Sequence, residues 1–465
     1  MSEALALARK TLAGRAAWLV GGLPRDRALG RATRDVDLLI DGDPELAARA
    51  LARAARAVAF ELSEEFGAWR VVARGHEWQI DVSAVRAGAV EHDLALRDFT
   101  VNAMAEPLGG GPLLDPLGGM SDLHARRLRM TGPDALGADP LRVLRLVRLA
   151  VALGLEGDAA TVASAREHAP LLAGVAPERV LSELGQIIAA DAAVRGLRLM
   201  DELAITPVVM PELAEMHGVA QNRFHHRDVW GHTLEVLQGC VDLQRDPGAV
   251  VGERHAGAVS ELLSDPLGDD LSRGTGLRLG ALLHDVAKPR TRAEQPEGRV
   301  SFMGHDVLGA ELARDVLGRL RASERLRSHV AKLTREHLRP GFLVHERPLS
   351  RRSMFDYMLA CQPVEVDVLL LSVADRLATR GAAAERSIDR HLKLVDELLP
   401  EALRWRREGP PQPLIRGDEL ARALDIAPGP QVGALLSELV GAQYAGEVCD
   451  REQALALLRP RARRG

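Results

Sequence analysis

The chain has 465 residues, 46% hydrophobic and 27% charged, which is enough to bury the cores of roughly two to four ordinary domains. Its 60 basic and 65 acidic side chains leave a net charge of −5, which excludes a uniformly basic nucleic-acid-coating protein and leaves any RNA surface to local clustering. Three widely spaced cysteines (Cys240, Cys361, Cys449) fit neither a zinc knuckle nor a disulfide framework, and no apolar run nears the roughly 20 residues of a membrane helix, so the expectation is a cytoplasmic protein without membrane contact.

From residue 16 to 130 short apolar strands alternate with loops. AWLV (17–20) reads as a strand running into the Gly21-Gly22 turn, and Arg25-Asp26 open a short helix. DVDLLI (35–40) and WQIDVSAV (78–85) read as further strands, with PELAARALARAAR (44–56) a helix between them. From about 137 a helical period takes over: Leu141, Leu144, Val147 and Val151 form one stripe, and 177–200 continue as helix. Residues 221–400 read as mostly helical and rich in His, interrupted at 241–276 by an irregular acidic insertion. A GPPQP linker (409–413) precedes a last helical unit, and the basic tail RPRARRG (459–465) reads as disordered. No repeat of fixed period emerges.

Asp35 and Asp37 flank one Val on a strand, so both carboxylates point to one face. Mg²⁺ prefers hard oxygen ligands, takes a few carboxylates plus substrate phosphates, and in pairs activates a hydroxyl while stabilising leaving pyrophosphate. The glycine turn offers backbone N–H groups to a phosphate, Arg25 supplies positive charge, and Asp81 on a neighbouring strand is a third acidic group. Taken singly, a DxD pair or a Gly-Gly turn is commonly a surface feature. Their order within about 20 residues is what carries the reading.

LVGGLPRDRALGRATRDVDLLI (19–40) resembles the signature of the class II tRNA nucleotidyltransferase and poly(A) polymerase family. RDFTVNAMA (97–105), LLDPLGGMSDL (113–123), DPLRVLR (139–145) and ERVLSEL (178–184) resemble its later motifs in order, covering nearly all of 1–200. The resemblance implies that Asp35 and Asp37 bind catalytic Mg²⁺, and that Gly21, Gly22, Arg25 and Asp26 shape a triphosphate pocket. It also implies that Arg97, Asp98 and Asn102 line the nucleotide and ribose site. Asp139 and Arg142 would read the Watson–Crick edge of an incoming C or A, a carboxylate accepting from an exocyclic amine and Arg donating to ring acceptors. Their i, i+3 spacing would set both on one helical face, which Arg145 and Arg148 continue towards tRNA phosphates. Asp139 before Pro140 equally fits a helix N-cap. Pro24, Leu96 and Ala138 depart from the family pattern, which leaves nucleotide choice open.

The second series is His232, His284-Asp285, His305, His337 and Asp375. GHTL (231–234) reads as a helix start, LGALLHDVAKP (279–289) as an apolar helix ending at Pro289, and LLLSVADRLATRG (369–381) as an apolar helix with one buried acid. The order resembles the HD phosphohydrolase superfamily. That resemblance implies one ion on His232, His284, Asp285 and Asp375, with His305 and His337 as the extra ligands of two-metal members and Lys288 steadying a phosphate. Imidazole with carboxylate suits Mn, Ni, Fe or Zn, with Mg also open. His225, His226 and His255 lie outside the series and read as surface residues.

The expected fold is α+β: a nucleotidyltransferase palm of small mixed sheet and helices at 1–130, a helical neck carrying the nucleotide-reading helix at 131–220, an HD-type helical domain at 221–400, and a small helical, tRNA-contacting unit at 401–465. The expected function is template-independent addition of CCA from CTP and ATP to tRNA 3′ ends, with secondary phosphatase or 2′,3′-cyclic phosphodiesterase action at the HD site. Alternatives are a poly(A) polymerase, a partial CC- or A-adding enzyme, or an HD phosphohydrolase with an RNA-binding palm.

Overall fold

The structure is a computed structural model that describes residues 3–31, 35–63, 67–75, 78–86, 88–221, 226–296, 299–380 and 384–462. It divides into two compact units interleaved along the chain, Met1–Glu183 with Arg195–Val209, and Leu184–Val194 with Met210–Gly465.

The first unit is built on a six-stranded mixed sheet. Its strands are β1 (Ala17–Val20), β2 (Asp35–Ile40), β3 (Val58–Ser63), β4 (Ala68–Val72), β5 (Gln79–Ala84) and β6 (Glu106–Pro107), in the order β3-β4-β5-β2-β1-β6. Strand alternation decides its two faces. Val36, Leu38 and Ile40 of β2 join Val71, Ile80 and Val82 in a core under helices α1 (Glu3–Thr11) and α3 (Pro44–Ala55). The intervening residues Asp35 and Asp37 fall on the opposite face. α3 starts where Asp43 accepts from the backbone N–H groups of Glu45 and Leu46, with Pro44 in its first turn, as capping rules require.

The helix Leu141–Leu153 buries Leu141, Leu144, Val147 and Val151, but also Val143, Leu146, Leu149 and Ala150, so it is enclosed on most sides rather than along one stripe. Residues 177–200 form two helices, Pro177–Ala189 and Ala193–Glu202, rather than one.

The second unit is helical. Residues 241–276 correct the expectation of an irregular insertion. They complete the helix Val229–Arg245 and form Gly248–Val251 and Glu253–Ser264, then a short hairpin (Pro266–Gly268 with Leu271–Ser272) and the start of Arg273–Leu283. Val259, Leu262 and Leu263 supply the buried face, a helical spacing masked by acidic neighbours. The expected helix over 279–289 ends instead at Leu283, and Pro289 lies in the first turn of Lys288–Thr291, where a missing N–H costs nothing. The last three helices, Gly417–Leu424, Pro430–Ala445 and Arg451–Ala462, share their own core around Leu420, Leu435, Leu439 and Leu458. The basic tail is therefore helical to Ala462 rather than disordered, because Leu458 anchors it; 463–465 lie outside the described residues. Among the described residues no single helix is long and apolar enough to cross a membrane.

Candidate functional site

In the first unit β2 runs parallel to β5 and sets Asp37 opposite Asp81. Arg70 of β4 pairs with Asp81 through two hydrogen bonds of 2.7 Å each. Burial, then the facing Asp81 and the neighbouring Asp35, push the Asp37 carboxyl up to about 6, against the pull of Arg97. Asp81 has Arg70, so the buried Asp37 beside the exposed Asp35 is the carboxylate whose charge a cation would most relieve, which fits a divalent-ion site on Asp35 and Asp37.

Gly21 explains why the strand must turn there. Its φ is +69°, and a Cβ would lie 2.2 Å from Asp37 Oδ2, so only glycine permits the turn to press against the carboxylate. The turn leads into α2 (Gly22–Ala28). Arg25 is buried there and donates to Asp26 at 2.8 and 3.0 Å and to Asn102 Oδ1. Asn102 donates to Asp98 Oδ1 at 3.1 Å, which also takes the Phe99 N–H at 2.7 Å. Asp98 Oδ2 accepts from Arg145 at 3.2 Å, and Arg145 and Arg148 both reach Glu183. Burial alone would raise the Asp98 carboxyl, but Arg145 and these hydrogen bonds hold it below its ordinary value. One polar chain thus runs from the glycine turn to the helix Leu141–Leu153.

Asp139 and Arg142 are placed differently from expectation. The helix starts at Leu141, and Asp139 is extended (φ −145°, ψ 100°) because a residue before proline avoids the helical region, so the two do not share a helical face. Asp139 accepts the Leu141 N–H at 3.2 Å, a cap-like bond, and pairs with Arg179 at 2.8 Å. Arg142 donates to the carbonyls of Arg97, Ala135 and Leu96 at 3.2, 2.9 and 3.0 Å. Arg97 pairs with Asp93 at 3.4 Å. Arg145 and Arg148 turn inward to carboxylates instead of continuing a phosphate-facing row. The sequence reading missed Glu183 as their shared acceptor, Arg70 as the neutraliser of Asp81 and Arg179 as the partner of Asp139. None has a local signal, since each meets its partner through folding.

In the second unit the six residues of the His series converge. His284, His305 and His337 direct Nδ1 at the carbonyls of Ala281, Phe302 and Thr334, each at 2.7 Å. A carbonyl only accepts, so each Nδ1 carries a proton and aims Nε2 inward; on His284, burial opposes the charge but the adjacent Asp285 raises the imidazole above its ordinary value, so there Nε2 faces the carboxylate as a donor until a metal replaces its proton. His305 and His337 bring those atoms to 3.3 Å of one another. Two facing lone pairs repel unless a cation lies between them. His284 Nε2 and Asp285 Oδ2 sit 3.1 Å apart, with Lys288 Nζ 2.6 Å from the same oxygen. His232 Nε2 is 3.0 Å from Asp375 Oδ1.

Two ligand groups result, His232 with His284 and Asp375, and Asp285 with His305 and His337. Asp285 spans them, with Oδ2 towards His284 and Oδ1 3.4 Å from His305. Burial and the nearby His284 depress His337 to about 4, which keeps it neutral and ready to ligate. Burial would raise Asp285, yet His284 and Lys288 hold it well below the usual carboxylate range. The donor set fits a divalent metal centre. Asp375 is not the buried acid expected: its side chain is 27% exposed and faces a cavity of about 1440 Å³ that also meets Asp285, Lys288, His305 and His337. Lys288 Nζ lies 2.6 Å from Asp285 and 2.7 Å from Gln221. His226 and His255 are partly exposed and apart from the cluster; His225 lies outside the described residues.

Comparison with known proteins places both units in known families. Residues 17–129 match the poly(A) polymerase head domain, 154–216 the probable RNA- and SrmB-binding site of polymerase A, and 229–380 the HD domain. The chain is 37% identical to the A-adding tRNA nucleotidyltransferase of Deinococcus radiodurans, over 95% of this chain and 94% of that protein. It is 35% identical to the CC-adding tRNA nucleotidyltransferase of Thermus thermophilus, over 95% and 93%. A solved CCA-adding enzyme in complex with ATP superposes with a TM-score of 0.64 at 18% identity, covering 98% of this chain and 95% of that one. With near-complete coverage by such relatives, the chain belongs to the tRNA nucleotidyltransferase and poly(A) polymerase family and carries an HD domain.

Proposed function

We propose that this enzyme adds nucleotides from CTP and ATP to the 3′ end of tRNA without a nucleic-acid template, completing CCA. The observation that carries the reading is Asp35 and Asp37 on one sheet face, with Asp37 pressed against Gly21 and joined by position to the Arg25–Asn102–Asp98–Arg145 chain. Asp35 and Asp37 would hold Mg²⁺, which supplies charge stabilisation at the α-phosphate and the leaving pyrophosphate. The Gly21-Gly22 turn shapes the phosphate pocket. Arg25 contributes positive charge while Asp26 and Asn102 fix its guanidinium in place. Asp98 and Asn102, held in one network, line the ribose side. Arg97 carries positive charge next to Asp37, and Asp139 with Arg142 stands at the nucleotide-reading position.

A partial enzyme is the second reading, because the relatives at 37% and 35% identity are A-adding and CC-adding enzymes. The test is extension of tRNA transcripts ending before CCA, after C and after CC, with Mg²⁺ and CTP, ATP or both. Products stopping after CCA support the first reading. CC-only or A-only products establish the second, a long A ladder a poly(A) polymerase, and no incorporation refutes all three.

The HD centre supports a phosphohydrolase acting on phosphoester ends, with Mn, Ni, Fe, Zn or Mg as its ion and Lys288 placed to steady a phosphate. We further propose a cytoplasmic setting and the four-part division at 130, 220 and 400. In that division the helices after 401 take part in holding tRNA.

A further inference from the structure

The sheet face that carries Asp35 and Asp37 continues beyond the Arg70–Asp81 pair. The registers Asp37↔Asp81, Arg70↔Asp81 and Phe60↔Arg70 set one row of side chains across β2, β5, β4 and β3. Directly opposed residues share a face, so Phe60 stands on the same face as the carboxylates. Val58, two residues earlier and opposite Val72, stands beside it, while the intervening Ala59 packs into the core on the other side. Phe60 is 44% exposed and Val58 61%, on the edge strand of the sheet. Proteins usually blunt such an edge with charge or proline, so an apolar ledge retained there needs another reason.

We propose that Phe60, with Val58 beside it, is a stacking ledge for the unpaired RNA nucleotides just upstream of the reacting 3′ end. The inference rests on the transferase reading above and adds a binding surface to it. Three strand spacings separate Asp37 from Phe60, roughly 14 Å, a span that a few nucleotides of extended single strand cover. A 3′-hydroxyl delivered to the carboxylate pair along this row passes Arg70 first, whose guanidinium is bonded to Asp81 yet stays partly exposed as a donor to the backbone. It then meets the aromatic ring. Cation followed by ring is the composition of a single-strand platform, and stacking tolerates any base. That tolerance suits an end whose sequence changes with each addition. A second copy of the chain would explain the apolar side chains but not their continuity with Arg70 and the carboxylates.

The experiment compares wild type, Phe60→Ala and Phe60→Trp in steady-state extension of tRNA transcripts with truncated 3′ ends, alongside thermal melting and sedimentation. Photoreactive thio-pyrimidines placed singly along the 3′ end map the contact by crosslinking. Phe60→Ala is expected to raise the RNA KM about tenfold with CTP and ATP KM and Tm unchanged. Phe60→Trp should retain wild-type KM, and a crosslink should land on β3. An unchanged RNA KM in Phe60→Ala overturns the ledge alone. Equal rises in RNA and nucleotide KM with a lowered Tm overturn it in favour of a structural role. A dimer that becomes monomeric in Phe60→Ala assigns the face to a second copy instead. Wild-type protein that extends no transcript removes the transferase reading itself, and the ledge with it.

Discussion

Asp37 carries the sharpest consequences at the scale of single residues. Replacing Asp35 or Asp37 with Ala should abolish nucleotide transfer, and substantial incorporation by either variant would refute the metal-binding role. Without a cation, burial and the facing Asp81 push the Asp37 carboxyl up to about 6, so Mg²⁺ competes with a proton there, and the Mg²⁺ concentration needed for half-maximal transfer should rise as the pH drops through about 6. The stability sign is opposite. A carboxyl raised above its unfolded value contributes stability that is present below the unfolded value near 4 and is lost as pH rises through 6. Without divalent cations, Asp37→Asn should therefore stabilise the fold by up to about 3 kcal/mol at pH 8 and by almost nothing at acidic pH. Urea melts at the two pH values measure this.

Asp98 runs the other way. Burial opposes its charge, but Arg145, Asn102 and the Phe99 N–H hold its carboxyl low. Its contribution is present above the unfolded value near 4 and is lost as pH falls through the lower folded value. Asp98→Asn should flatten the acid limb of a stability–pH profile below about 4, and an unchanged limb would show that the network does not depend on that charge. Gly21→Ala places a Cβ 2.2 Å from Asp37 Oδ2 at a φ of +69°. It should cost about 1–3 kcal/mol of stability and remove transfer, a loss visible in melting and extension assays together.

At the scale of elements, the helix Leu141–Leu153 depends on polar anchoring as much as on its apolar sides. Glu183, on Pro177–Ala189, is the shared acceptor for Arg145 and Arg148, and Arg145 also reaches Asp98. Glu183→Ala takes this carboxylate from Arg148 and leaves Arg145 with Asp98 alone, and should lower stability by about 1–3 kcal/mol while raising the KM for CTP and ATP. A variant with lower stability and unchanged nucleotide KM would show that the network braces the helix without placing nucleotide-site groups. The helices around the metal centre follow a different logic. His305 opens its helix, while His284 and His337 cap the ends of theirs. At such ends carbonyls of the last turn are free to take Nδ1–H, and that bond aims each Nε2 inward.

Across the whole molecule, each centre is assembled from residues of one unit only. Asp285→Asn should therefore remove tightly bound metal, read by elemental analysis of the purified protein, and leave CTP and ATP incorporation unchanged. Loss of incorporation in a folded, metal-free variant would show that the two activities are coupled.

The candidate ligand residues were legible in the sequence because their order matches known motifs and part of their chemistry is local. Two carboxylates at i and i+2 on a strand share a face whatever surrounds them, a glycine turn follows a strand by its own backbone freedom, and the His series shows itself by its order along the chain, though the helix end at His284 did not. The α+β class followed for the same reason, from periods of two and 3.6 in the apolar pattern. What only the tertiary structure decided was the partner of each charge. Asp139 looked poised to read a base and lies on Arg179, Arg142 went to three carbonyls, and 241–276 looked irregular until packing drew its apolar residues into helices. The same holds for the row from Asp37 through Arg70 to Phe60. Strand register is set by which residues the whole sheet buries, and that is a property of several segments at once, carried by none of them alone.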